Sequence, residues 1–263
     1  MERGLLSQMA EYIPKESPDD GINISLVSPI SFLFQAAIFL FILLGACYLF
    51  LLLLPGVAAK FTPVSVENRL VKEFSWSKKS QNKLETQPLF EKLKMSLPKH
   101  LRDVDVSVIK NRTENAYALP GNQILITQGF LDNAVYESEK LFVLAHELGH
   151  LYHRHPLKSV YRNFLGQMVM SLLGSGSSLA TLTTRVTSLN FNRAEEKEAD
   201  LYAVDLLYYS TNDLRGAFHF FKRMKKKHGK WEGLHGSLFS THPISSERLE
   251  YLQEAAKKYS VNK

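Results

Sequence analysis

From Ser31 to Leu54 the chain carries no charge, Gln35 is the only strongly polar side chain, and Phe, Leu and Ile cover every face. As a helix this run is about 36 Å long, enough to cross a hydrocarbon layer of roughly 30 Å. No water is available there for backbone amides, so a single segment that crosses must be helical. The run therefore predicts a transmembrane helix over 31–54; a core helix of this length without a polar face is the poorer alternative. It divides the chain into a polar, acidic lead over 1–30, a connector over 55–83 and a globular part over 84–263. Pro14, Pro18 and Gly21 make the lead a loosely ordered segment. Val57-Ala58-Ala59 and Leu44-Gly45-Ala46-Cys47 resemble processing sites. The lead is long and net negative, however, and seven apolar residues follow Cys47, which favours a retained anchor. Lys60, Arg69 and Lys72 follow the span closely, against Lys15 before it, which predicts a single pass with the globular part on the cytoplasmic side.

With 45% hydrophobic and 22% charged residues among 263, the chain can bury a full core beside its anchor. The net charge of +6 is dispersed, with runs only at Lys78-Lys79 and Arg223–Lys227. No groove-reading or base-stacking motif accompanies it, so nucleic acid is not an expected partner. One cysteine, Cys47, excludes an intrachain disulfide.

Past the Ser/Lys/Asn-rich stretch 75–83, which reads as a solvated connection, Leu84–Leu97 reads as a helix stopped by Pro98. Val104, Val106 and Val108 alternate as a strand does. Asn115–Leu119 and Gln123–Thr127 are two more, joined by the turn Pro120-Gly121-Asn122. Between Arg162 and Arg185 lie 22 uncharged residues interrupted by Gly166, Gly174, Gly176 and several serines. They predict a helix and a loop lying over the site or against the bilayer rather than a second span. Asp213–Lys227 predicts a helix with Phe218, Phe221 and Met224 inward and a basic outer face that suits anionic lipid. The expected class is α+β: mostly helical, with a small sheet and one N-terminal transmembrane helix.

The chemistry lies in 141–155, Leu-Phe-Val-Leu-Ala-His-Glu-Leu-Gly-His-Leu-Tyr-His-Arg-His. Leu141, Leu144, Ala145, Leu148 and Leu151 recur at helical spacing, so His146 and His150 lie one turn apart on one face and both reach one ion. H-E-x-x-H is the pattern in which two neutral imidazoles bind zinc and the glutamate takes a proton from water. Random order supplies such a match roughly 0.02 times per chain, rare but not negligible, so a third ligand must be found. In the bland alternative, His153, Arg154 and His155 make a cationic helix end before Pro156, which leaves His146 and His150 unexplained. Residues 192–200, Asn-Arg-Ala-Glu-Glu-Lys-Glu-Ala-Asp, supply the third ligand. Glu196 shares its helix face with Ala199, Asp200, Ala203 and Leu207, which allow close approach, whereas Glu195 and Glu198 face polar flanks. His153 competes, but three ligands from under two turns of one helix surround an ion poorly. Asp200, one turn on, suits a carboxylate that orients a ligand histidine. One Zn(II) per chain is expected, with a fourth position open for water. The small sheet offers an edge on which an extended peptide could pair, and a purely structural sheet accounts for the same residues equally well.

Asn115-Ala116-Tyr117-Ala118-Leu119-Pro120-Gly121, His146–His150, Asn192–Asp200 and Thr241-His242-Pro243 with Glu247-Arg248-Leu249 together resemble the membrane-associated gluzincin metallopeptidases. That family includes the HtpX, CAAX prenyl protease and Oma types. The third block matches S-R-x-x-E-x-E-A-D with Asn192 in place of Ser. The resemblance implies a zincin-type metallopeptidase domain with Glu147 as catalytic base, Glu196 as ligand, Asp200 and Arg248 in support and His242 near the reacting carbonyl. The single anchor looks more like the Oma-type and exported relatives than the multi-span prenyl protease. Read alone, a histidine before proline is as often a turn residue, and His219, His228 and His235 look ordinary. Two functions are consistent with these residues. One is a membrane-anchored zinc metalloendopeptidase acting on protein or peptide substrates, with quality control as a setting. The other is a membrane-tethered binding or chaperone-like module with a structural zinc, which Glu147 and an open fourth position argue against. Substrate, trigger and oligomeric state have no signature here.

Overall fold

A computed structural model describes residues 29–73, 85–172, 191–228, 242 and 245–260. The readings made above of 1–28, 74–84, 173–190 and 229–241 lie outside the described residues. The chain divides into two compact units, residues 1–50 and 51–263.

In the first unit the described residues belong to helix α1, Pro29–Phe61. Its side chains are almost all exposed, among them Phe32, Leu33, Phe39, Leu43 and Phe50. By length and apolar composition the helix could cross a membrane. It starts close to the predicted residue but does not stop at Leu54. The missing amide of Pro55 costs a hydrogen bond, yet the helix runs on through it to Phe61, with Ala59 fully buried. Thr62 then closes the end, its amide and hydroxyl both donating to the Ala58 carbonyl at 3.0 and 2.7 Å.

In the second unit, α2 (Val64–Glu73) follows, then α3 (Gln87–Lys94) and a 3-10 turn at Lys99–Leu101. Strands β1 (Asp105–Ile109), β2 (Ala116–Leu119) and β3 (Gln123–Thr127) lead into α4 (Gln128–Asn133) and α5 (Glu137–Tyr152). Four more helices are described: α6 (His155–Leu172), α7 (Arg193–Thr211), α8 (Arg215–His228) and α9 (Ser246–Ser260). The sheet has the order β1-β3-β2: β1 runs parallel to β3, with Val106 opposite Ile124, and β2 runs antiparallel, with Ala118 opposite Ile124. The β2–β3 connection turns through Gly121 and Asn122, both with positive φ (82° and 56°), a backbone region those two residue types tolerate best.

Helix α5 is the centre of this unit. The sequence suggests one apolar stripe, but every residue from Leu141 to Leu151 is buried, because α7, α8, β2 and α3 all pack on it. A helix covered on all sides can carry its polar residues only as partners of other buried groups. Helix α7 comes close at Gly149, where a Cβ would lie 2.8 Å from the carbonyl oxygen of Ala199. On α8 the buried stripe is Ala217, Phe220, Phe221 and Met224. Phe220 thus takes the inward place expected of Phe218, since 217, 220, 221 and 224 follow the helical period. Arg223 also turns inward, donating to Glu139 at 2.7 Å and Glu114 at 2.8 Å, so the basic face is narrower than its sequence implies.

The connector is not merely a tether where it is described. Glu67 of α2 is buried and accepts from the Gly121 amide at 2.8 Å and from Arg154 at 2.6 Å. Arg154 also donates to the Thr62 carbonyl at 2.7 Å, and the Thr62 hydroxyl bonds the Tyr161 phenol at 2.7 Å. Arg154 has a φ of 57°. This left-handed residue ends α5 after His153 and lets His155 open α6, with Pro156 in the first turn.

Candidate metal centre

Two adjacent helices and the segment ahead of a third bring the polar residues together. His146, Glu147 and His150 project from α5, Glu196 and Asp200 from α7, and His242 precedes α9, which carries Arg248 and Tyr251. All but Tyr251, which is partly buried, lie at 6% relative exposure or less.

Helix α7 is aimed from its first residue. Asn192 caps it, accepting from the Glu195 amide at 3.0 Å, while Glu195 accepts from the Asn192 amide at 3.1 Å. Asparagine and serine both serve in this reciprocal box, so Asn192 keeps the geometry of the pattern it departs from. The three glutamates of the segment then separate. Glu195 is held by Arg162 at 2.7 and 3.0 Å, Glu198 faces His155 at 2.9 Å, and Glu196 turns toward α5.

The Nε2 atoms of His146 and His150 stand 3.1 Å apart. Glu196 oxygens lie 3.5 Å from His146 Nε2 and 3.4 Å from His150 Nε2. His242 Nδ1 lies 3.3 Å from His146 Nε2 and 2.8 Å from Glu196 Oε1. Donors about 2.05 Å from one tetrahedral ion stand about 3.3 Å apart. The spacings scatter around that length, with Glu196 meeting His146 through Oε2 and His150 and His242 through Oε1, and all four groups offer an atom within 4.8 Å of one another. Ring nitrogens and carboxylate oxygens crowded this closely need a cation or protons between them, so the donor set fits a metal ion. His153 stays outside it, partly exposed and 3.9 Å from Glu198.

Electrostatics agree. Burial opposes charge on His146, but Asp200, whose Oδ1 stands 2.8 Å from Nδ1, and Glu196 outweigh it and raise the imidazole to about 10. A metal held at Nε2 would take the place of that proton and supply the positive charge instead. Burial lowers His150 to about 3 against the pull of Glu196, leaving it neutral as a ligand must be. Burial would raise Glu196, yet His242 and Arg248 hold it well below the usual carboxylate range. Arg248 grips Asp200 with two bonds of 2.8 Å and reaches Glu196 at 2.7 Å, and the Tyr251 hydroxyl adds a bond of 2.5 Å to Asp200. Asp200 is thereby held at about 2: burial pushes it up, and Arg248 and His146 pull it down further.

Glu147 differs from Glu196 and Asp200 in that both of its oxygens lack a hydrogen bond. It is 0% exposed, and neither carboxylate oxygen accepts a hydrogen bond from a described residue. His242 Nε2 stands 3.5 Å from Oε1. A buried carboxylate without donors is costly unless a ligand or water supplies them.

His155 also borders the centre. It is fully buried and bonded to His150, though it reads as part of a cationic helix end. Pro156 was the available signal, since proline belongs in a first turn. Phe191, stacked on His150 at 4.0 Å between ring centres, and Tyr251 had no comparable signal.

A donor set of this kind on a mostly helical α+β unit, with a buried glutamate between its two histidines, defines a metallopeptidase. The profile of peptidase family M48 matches residues 78–256, and the chain belongs to that family. Among similar proteins are the mitochondrial metalloendopeptidase OMA1 of Arabidopsis thaliana and the metalloprotease LoiP of Escherichia coli. The first is 29% identical over 161 residues, 59% of this chain and 33% of that protein. The second is 28% identical over 162 residues, 57% of this chain and 62% of that one. The putative beta-barrel assembly-enhancing protease of Vibrio cholerae is 24% identical over 167 residues, 58% of this chain and 34% of that protein. The matched region thus spans about a third of two of these relatives.

Proposed function

We propose that the chain is a single-pass, membrane-anchored endopeptidase that holds one zinc on His146, His150 and Glu196 and hydrolyses extended segments of protein substrates. The observation that carries it is Glu147, a buried carboxylate with both oxygens unbonded beside a metal donor set. Zinc bound there supplies Lewis acidity, polarising a scissile carbonyl and acidifying water. Glu147 takes the water's proton and returns it to the leaving amine. His242, with one nitrogen at the donor set and the other facing Glu147, is placed to hydrogen-bond the oxyanion. Arg248 and Asp200 orient the carboxylate and the first histidine. Strand β2 lies at an edge of the sheet, against α5, and can pair with a substrate backbone with little regard for side chains. That suits turnover of unfolded chains in protein quality control. The cations at Lys60, Arg69 and Lys72 favour a cytoplasmic catalytic unit.

A second reading is favoured by one observation. The fourth corner, expected to be open, is met by His242, and zinc closed by four protein ligands is usually structural. That would make the chain a tethered binding module. The full chain in detergent, given a denatured protein substrate, separates the two. Glu147→Gln should lower turnover by about 10²–10⁴ with zinc retained, and Glu196→Ala should lose both. His242→Ala should keep its zinc and lose activity; under the binding-module reading it loses the metal. Cleavage by Glu147→Gln at the parental rate would overturn the proposal.

A further inference from the structure

His150 has two ring nitrogens, and the metal centre uses one. Nε2 faces His146 and Glu196, while Nδ1 lies 3.0 Å from Nδ1 of His155. His155 is fully buried, and its own Nε2 lies 2.9 Å from Glu198 Oε2, whose side chain is half exposed. Two ring nitrogens at 3.0 Å share one proton, so the direction of that bond must be settled.

The ligand role settles it. If Nε2 of His150 gives its lone pair to the cation, the ring's proton sits on Nδ1 and can only be donated. His155 Nδ1 must then accept, its proton must lie on Nε2, and that N–H points at the Glu198 carboxylate. We infer that His155 and Glu198 form an outer relay, His150 Nδ1–H to His155 and His155 Nε2–H to Glu198, that fixes the tautomer and ring orientation of His150. Phe191 stacks on the same ring at 23°, so rotation is resisted from the face as well as the edge. His146 is served differently, by Asp200 directly. The centre therefore has one histidine backed by a carboxylate and one backed by a histidine that is itself backed by a carboxylate.

The same proton count disposes of a rival. His153, His155 and Glu198 also offer three atoms within 4.8 Å of one another and could be taken for a second metal site. A protonated His155 Nε2 has no lone pair to give, so this cluster cannot bind a cation through His155 while His150 serves the first.

The relay rests on the metal-centre reading, and the test keeps the two apart. The full chain in detergent micelles is stripped of metal. Zinc affinity and stoichiometry are then measured by competition with a chromophoric chelator, and the metal-free unfolding midpoint is recorded for each variant. His155→Leu should weaken zinc about 10–100-fold without a matching fall in the metal-free midpoint, which a purely structural role would produce. His155→Asn, whose Oδ1 can accept the His150 proton, should return affinity to within about threefold of the parent. Should His155→Leu fail to fold, Glu198→Ala at its half-exposed site carries the test, with a loss of about 3–10-fold. His153→Ala should change nothing. Parental affinity in His155→Leu, or in Glu198→Ala, overturns the relay while leaving the one-zinc centre standing. A second zinc in the parent that His153→Ala removes overturns it in favour of the rival site. A parent that binds no zinc overturns the metal centre and the relay together.

Discussion

Gly149→Ala perturbs the centre with a single methyl, added where the two helices that carry the proposed ligands touch. The new Cβ would lie 2.8 Å from the Ala199 carbonyl oxygen and 2.9 Å from its Cα, against 3.4 Å for ordinary contact. The obstacle is backbone, so α7 must retreat from α5 by about 0.6 Å. Glu196 sits one turn before Ala199 and moves with it, whereas metal–ligand distances tolerate only about 0.2 Å. Overpacking of this kind costs about 1–3 kcal/mol, partly offset by the better helix propensity of alanine, about 1 kcal/mol. Metal-free protein should therefore lose up to about 2 kcal/mol by urea titration and gain nothing. Zinc affinity should fall at least about tenfold by chelator competition. Gly166→Ala is the control: it also lies in a helix interior, but no atom stands within 4 Å of the added methyl, so it should gain about 0.5–1 kcal/mol and leave zinc untouched. A Gly149→Ala protein that gains stability as Gly166→Ala does, or that binds zinc with parental affinity, would refute the claim that this contact sets the ligand spacing.

Three further outcomes follow from the same contacts. Arg154→Met leaves the Glu67 carboxylate buried with the Gly121 amide as its remaining bond, and with Arg154 itself a quarter exposed the loss should be about 2 kcal/mol by chemical denaturation; no measurable loss would show that α2 is not clasped to the α5–α6 corner. Glu195→Ala removes half of the capping box and the Arg162 pair, so it should destabilise by about 1–2 kcal/mol yet keep full zinc stoichiometry; metal loss in that variant would mean the wrong glutamate has been assigned. Asp200 contributes one separable part of the acid pH dependence of the metal-free protein: its folded value is depressed from 3.8 to about 2, so its stabilisation, about 2 kcal/mol, is complete above about pH 4 and lost as pH falls through about 2. The stability gap between the parent and Asp200→Asn should narrow across that window, and a gap unchanged by pH would contradict the assignment.

The features legible in the sequence are those set by neighbours along the chain. An uncharged run is helical in a hydrocarbon layer whatever else the protein does. The four-residue step from His146 to His150 puts two imidazoles on one face because the helix repeat does so. Gly121 and Asn122 mark a left-handed turn by residue type alone, and Asn192 with Glu195 caps a helix within four residues. Even the turn of Glu196, rather than its siblings, toward α5 could be told from the small residues one and two turns beyond it. Tertiary structure decided the rest, because it depends on which segments meet. No periodicity tells that β1 pairs parallel to β3, or that Arg154 reaches back to Glu67 across 87 residues of chain. Helix α8 could turn either Phe218 or Phe220 inward, and the contact with α5 chose Phe220, which lies 5.8 Å from Phe142 between ring centres. His155 looked like surface charge until Arg154 adopted a positive φ and folded it under His150. His242 reached the fourth corner only when the segment before α9 came within hydrogen-bond distance of Glu196. Local steric and hydrogen-bonding rules act over one turn of helix and are written in adjacent residues. The tetrahedron of donors is assembled from residues 146 to 242, and only burial of the shared core brings such distant positions to 3 Å.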